Sequence, residues 1–205
     1  MPRSAPGTGP TSHWFFSQRL RLHYVDYGGE GKPLCVLVHG GQDHCRNWDF
    51  VAAALVDHYH VVAPDLRGHG DSQWAVGSNY GIAEYILDLA QLLRHLGEQP
   101  VTLVGHSLGG AMALEVALQR PDLVAGLVLV STGARLPVPD HALARIDDDF
   151  EAECARMVEE SWLHHEPELI RRGTLSVIAM GPDSLRADYL SARQHDVRAL
   201  LGEIE

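Results

Sequence analysis

Gly105-His106-Ser107-Leu108-Gly109 is the stretch of this chain best suited to chemistry. A serine hydroxyl is a weak nucleophile until it is held clear of neighbouring backbone and activated. A G-x-S-x-G box between a strand and a helix prepares that. Its glycines let the turn tighten without side-chain collisions, and the helix N-terminus favours developing negative charge. The chemistry is attack on a carbonyl through an acyl-serine intermediate, which needs two N–H donors for the oxyanion. Leu108, directly after Ser107, is one candidate donor. His39-Gly40-Gly41-Gln42 provides the second loop, with Gly41 as its donor. His39, Gly40, Gln42 and His106 then become neighbours of the pocket. H-G-G alone is only a turn signal, and it gains meaning from its spacing to the box at 105–109.

These loops need a rigid frame, and the pattern around them predicts one. Leu34–Val38, 61–63, 101–104 and 127–130 are short runs that are apolar throughout. Such runs mark strands covered on both faces, as in a parallel sheet. Segments of helical period lie between them, at 49–56, 84–96 and Leu108–Gln119, the last starting after Ser107 and stopping before Pro121. Strand and helix alternate, so the expected class is α/β: a mostly parallel central sheet with helices on both faces. Ahead of it, 14–17 and 20–27 read as two further strands, closed by Gly28-Gly29.

Residues 1–12, rich in Pro and Gly, read as a flexible tail, and 13–133 as the α/β core. Residues 134–205 read as a helical lid inserted on the core. The run at 175–180 fits helix and strand equally.

The chain has 205 residues, 45% hydrophobic, enough for one domain with a sizeable core. Its 16 basic residues against 27 acids leave a formal net charge of −11. That field argues against nucleic acid or an anionic membrane as partner. The lid alone holds eight Arg and fifteen acids. No apolar stretch is long enough to span a bilayer, and the polar start has no signal-peptide core. Cys35, Cys45 and Cys154 are odd in number and scattered, so the expected compartment is the cytoplasm, with reduced thiols. No cofactor is implied. No metal is expected either, because Asp43-His44-Cys45 is contiguous and neighbours in sequence cannot readily converge on one ion.

Three elements in order carry a resemblance: HGG at 39–41, Asp65-Leu66-Arg67-Gly68-His69-Gly70-Asp71-Ser72 after the next strand, and GHSLGG at 105–110. Residues 20–133 resemble the α/β-hydrolase superfamily closely, in its serine-nucleophile esterase, lipase and peroxidase-like branch, and the helical remainder resembles that family's lid loosely. The resemblance implies a hydrolase acting on a small-molecule acyl substrate. It makes 65–72 a structural turn, so that Asp65, His69 and Asp71 are not the acid or base. Dehalogenases and epoxide hydrolases of this fold resemble the chain but carry Asp at the elbow. Ser107 implies an ester or related acyl bond instead, with carbon–carbon and peracid chemistry left open.

In the family the order is Ser, then Asp, then His, the last two on strands beyond the lid. No acid or base of that kind is found in this chain, which is expected to stop before the last two strands. His106 is too close in sequence to fold onto Ser107. His44, His69, His164, His165 and His195 read as packed or solvated, and 147–149 as a charge run at a helix start. Two readings follow: a serine hydrolase truncated before its acid and base, or a non-catalytic binding protein or decayed homologue. The run at 127–130 would then be a sheet edge, inviting self-association.

Overall fold

A computed structural model describes residues 9–204 apart from 76, 78, 98, 99 and 163. Six strands, β1 (Thr11–Ser17), β2 (Leu20–Asp26), β3 (Leu34–Val38), β4 (His60–Pro64), β5 (Val101–His106) and β6 (Val124–Val130), form one sheet in the order β1-β2-β4-β3-β5-β6. The β1/β2 and β2/β4 pairs are antiparallel, and β4/β3, β3/β5 and β5/β6 are parallel. Every residue of β3 and β4 is buried, as a strand covered on both faces requires.

Six α-helices occur among the described residues: α1 (Asp49–Leu55), α2 (Ile82–Leu96), α3 (Leu108–Gln119), α4 (Asp140–Asp148), α5 (Phe150–Glu160) and α6 (Pro167–Gln194). Tyr85, Ile86, Leu89, Leu92 and Leu93 of α2 and Met112 and Val116 of α3 join Val36, Val62 and Leu103 of the sheet in the main core. Ala52 of α1 packs with Val25, Leu37, Val61 and Val104 in a second cluster. A fully buried Leu or Val contributes roughly 1.5–3 kcal/mol, so these clusters make a stiff platform. Ile146, Cys154, Val158, Val177, Met180 and Leu185 form a third core belonging to the lid itself.

One stretch differs from its sequence expectation, and one that the sequence leaves open is decided. Thr11 and Ser12 are not tail but the start of β1, paired with Asp26 and Val25 across a two-residue turn in which Gln18 and Arg19 both have positive φ (48° and 70°). That turn geometry matches strand twist, and it pulls polar residues into the ladder. Residues 1–8 of the expected tail lie outside the described residues. The 175–180 run is helix, inside α6. Helix α6 leaves helical geometry at Gly181 (φ 80°, ψ 162°), just before Pro182, whose ring clashes with the preceding turn.

β6 pairs only with β5 among the described residues and lies at the sheet edge. Val128, Leu129 and Val130 are 48%, 43% and 38% exposed there. The lid meets the core elsewhere: Ser191 Oγ donates to Tyr80 O, Ser184 Oγ to Gly68 O, and His195 Nδ1 faces Glu115 Oε1. No described helix is long and apolar enough to cross a membrane.

Candidate active site

β3 has β4 on one side and β5 on the other, so the loops leaving β3 and β5 open a crevice at their carboxyl ends. Those loops are His39–Gln42 and the turn at Ser107. Ser107 has φ 49° and ψ −118°, outside the ordinary basins, and α3 starts at the next residue. The turn is held by Ser107 N donating to Val130 O at 3.0 Å and by Thr132 Oγ1 donating to Ser107 O at 2.7 Å. Its glycines are obligatory. A Cβ on Gly105 would lie 2.5 Å from Gly109 O, and one on Gly109 would lie 2.3 Å from His39 O. Of the five described non-glycine residues with positive φ, three surround this turn: Gln42 (56°), Ser107 (49°) and Ser131 (47°). Such strain persists only where surrounding contacts enforce it.

Ser107 lines a cavity of ≈ 270 Å³ with Gly41, Gln42 and Leu108 on the core side and Leu136, Pro137, Val138, Asp188, Tyr189 and Ala192 on the lid side. A larger hollow of ≈ 490 Å³ lies between α2 and α3, but neither the serine turn nor the His39 loop reaches it. Volume alone is therefore a poor guide here. His39 and Gly40 stand behind the cavity, and His106 packs on Gly40, where an added Cβ would lie 2.8 Å from His106 Nδ1.

The histidines are fixed by their partners. His39 Nδ1 faces Gly40 O at 2.7 Å while its Nε2 accepts from Leu66 N at 3.0 Å, the pattern of a neutral ring. Burial, helped by the charge on His69, holds His39 below the usual histidine range. His69 lies 5.4 Å away, centroid to centroid, and does the opposite. Its Nδ1 faces Arg67 O at 2.9 Å and its Nε2 faces Asp188 Oδ2 at 2.9 Å. Burial pushes it down, yet the Asp188 carboxylate and the Arg67 carbonyl outweigh burial and raise it. His195 spends both nitrogens on Glu115 and Gly133 O. Ser107 Oγ has no hydrogen-bond partner among the described residues.

The 65–72 turn is a hydrogen-bond node. Asp65 accepts from Cys45 N, His23 Nδ1 and Asp71 N. Burial raises its carboxyl, but those donors, His23 first, hold it well below the carboxylate range. Arg67 forks onto Asp88 at 2.6 and 2.7 Å, both side chains buried. His23, Cys45 and Asp65 bring potential metal-ligand atoms within 4.8 Å of one another, a convergence invisible in the linear order. The carboxylate is already taken by three donors, and burial and Asp65 push the Cys45 thiol far up, so the group acts as a structural knot.

Asp188 is the residue that sequence reasoning missed. Its Oδ2 accepts from Gln42 N (2.9 Å), Gln42 Nε2 (3.0 Å) and His69 Nε2 (2.9 Å), and its Oδ1 from Tyr85 OH (2.9 Å). Burial raises it, but the His69 charge and these donors bring it below the ordinary range. The signal was present, since 184, 185, 188, 191 and 192 form one buried helical stripe with a carboxylate at its centre. Other large apolar side chains of the lid lie away from the cavity. Phe150, Met157 and Met180 join the lid's own core, and Trp162 is 43% exposed. Asp149 caps α5, accepting from Ala152 N at 3.0 Å.

The family pattern described as alpha/beta hydrolase fold matches residues 33–184. The lipase LipV of Mycobacterium tuberculosis is 38% identical over 159 residues, which cover 74% of this chain and 59% of the lipase. A soluble epoxide hydrolase of a Corynebacterium species is 33% identical over 154 residues, 75% of this chain and 50% of that enzyme. The solved structure of a thermophilic esterase from Thermogutta terrifontis superposes with a TM-score of 0.78 at 28% identity, covering 96% of this chain and 76% of the esterase. The chain thus spans between 50% and 59% of the length of the two curated relatives.

Proposed function

This chain belongs to the alpha/beta hydrolase fold family, and on that premise we propose that it carries the nucleophile and oxyanion hole of a serine hydrolase acting on esters or related acyl bonds. The observation that carries the proposal is Ser107, strained at φ 49°, lining a cavity, with an Oγ that has no partner among the described residues. Ser107 attacks the carbonyl carbon, and the backbone N–H groups of Gly41 and Leu108 take the oxyanion. With Ser rather than Asp at the elbow, the intermediate is an acyl ester and not the alkyl ester of carboxylate-nucleophile chemistry. A cavity of ≈ 270 Å³ walled by Leu136, Pro137 and Val138 suits a short acyl group.

His39, His69 and His195 have both ring nitrogens committed, which leaves them no lone pair for the serine proton. The base and its orienting acid are therefore proposed to come from outside residues 1–205. A fluorophosphonate probe should label Ser107 slowly, and Ser107→Ala should abolish labelling. Labelling elsewhere would overturn the assignment, and brisk aryl-ester turnover abolished by Ser107→Ala would place the base among this chain's own histidines instead. The alternative, a binding-only protein, is favoured by the commitment of these three histidines. It predicts an unlabelled Ser107 with ligand affinity unchanged in Ser107→Ala.

The exposed β6 edge supports self-association as a further part of the proposal, since unpaired apolar strands template pairing. Light scattering should find oligomers that Leu129→Lys disperses. Monomers in both proteins would exclude it.

A further inference from the structure

We infer that Asp188 is a positioning residue: from lid helix α6 its carboxylate grips the Gln42 amide and sets the loop carrying Gly41 against Ser107, with His69 as its fixed counter-charge. The inference deepens the serine-hydrolase reading and rests on it for the loop's role, whereas the grip itself is independent of it.

Gln42 has φ 56°, a left-handed conformation that a non-glycine residue keeps only under constraint. The constraint is visible. Its backbone N–H and side-chain Nε2 both end on Asp188 Oδ2. Gly41 is pressed on the same group: a Cβ there would lie 3.0 Å from Asp188 Oδ2, 3.2 Å from its Cβ and 3.3 Å from its Cγ. A side chain at 41 would push the carboxylate off the loop. Because the Gln42 N–H is spent on Asp188, Gly41 is left as the donor that the His39–Gln42 loop offers an oxyanion.

The carboxylate can do this only if it stays charged and still. Tyr85 of α2 holds its other oxygen. His69 supplies the charge. Its two nitrogens face a carbonyl and a carboxylate, both acceptors, and only an imidazolium with two N–H groups satisfies both. His69 is in turn seated by the 65–72 turn, which Arg67 locks to Asp88. The oxyanion loop is thus not set by its own strand alone. It is set by a lid helix, through one side chain, so that movement of α6 moves Gly41.

Two measurements test this. The first is amide hydrogen exchange at Gln42 in the unsubstituted chain and in Asp188→Ala and Asp188→Asn. The second is the concentration dependence of Ser107 labelling by a fluorophosphonate. Gln42 N–H should be protected, and should exchange roughly tenfold faster or more in Asp188→Ala while the amides of Val36 and Leu37 stay unchanged. The maximal labelling rate should fall roughly 10- to 100-fold with the half-saturating probe concentration unchanged. Asp188→Asn, which keeps an acceptor oxygen, should recover part of both. A merely structural role would lower the labelled fraction without changing the rate of the folded protein. Open-chain exchange at Gln42 in the unsubstituted protein overturns the inference without any variant having to fold. A loosened loop with undiminished labelling also overturns the positioning role, and leaves the serine reading standing. A gripped Gln42 beside an unlabelled Ser107 supports the grip and sinks the serine reading instead.

Discussion

The two walls of the Ser107 cavity are built on different principles. The core wall, Gly41, Ser107 and Leu108, is a backbone construction: positive φ at Ser107, and glycines whose missing Cβ atoms let chain segments meet within 3 Å. The lid wall, Leu136, Pro137, Val138, Asp188, Tyr189 and Ala192, is a side-chain construction carried on α6 and the segment before α4. A backbone wall tolerates almost no substitution at its glycines, because nothing nearby can move aside. A side-chain wall can repack, except where a buried charge anchors it. That contrast is open to experiment.

The largest effect is expected at Gly105→Ala. The new Cβ would meet Gly109 O, Gly110 Cα and Gly109 C at 2.5–2.7 Å, all backbone. The variant should lose about 4 kcal/mol or more in urea unfolding, or fail to fold. A loss below about 1 kcal/mol would mean that the turn is softer than a backbone wall can be.

Arg67→Ala comes next. It strands Asp88 in a buried site, a situation that costs about 3–5 kcal/mol when one partner is removed. It should also loosen the lid wall, since Arg67 O orients His69, which anchors Asp188. Unfolding curves would report the first effect, and exchange across 184–192 the second.

The two buried histidines should leave opposite marks on the pH profile. His69 is raised in the fold, so its contribution is complete below the unfolded value of about 6.5 and is lost as pH rises through the folded one. His39 is lowered, so its contribution is present above about 6.5 and is lost as pH falls through its folded value. His69→Gln should therefore flatten the alkaline side of the stability curve. The difference from the unsubstituted protein should approach about 1.4 kcal/mol per pH unit inside that window. Parallel curves for the two proteins would show that His69 is not held charged.

Tyr189→Phe is the mild lid-wall change. It removes a half-buried hydrogen bond to Glu153 Oε1 of 3.1 Å and keeps the ring, so about 1 kcal/mol should be lost. Arg171→Ala should not measurably shift the urea midpoint, because its pair with Glu168 is solvent-exposed on both sides.

The same division between backbone and side-chain walls explains which features were legible in the amino-acid order. Leu34–Val38 and Leu108–Gln119 match their predicted bounds to the residue, because each is bracketed by local signals: turn glycines, the serine turn, a proline. Strand ends were less legible. β6 starts at Val124, ahead of the apolar run at 127–130, since Gly126 interrupts the side-chain pattern but not the ladder, where it faces Thr102. The 175–180 run read two ways because a short apolar stretch has no period long enough to choose.

By itself the sequence determined the frame and the core wall. Apolar runs, helical stripes and obligatory glycines act through neighbours along the chain, so their meaning survives in linear order. Only the tertiary structure decided which side chains at distant positions share a charge. Asp188 lies 146 residues from Gln42, 119 from His69 and 103 from Tyr85, and meets all three. Nothing in the linear order around position 188 marks those partners. The reason is physical: a left-handed turn is written in the residues that make it, but a buried carboxylate is defined by whichever donors the fold brings to it.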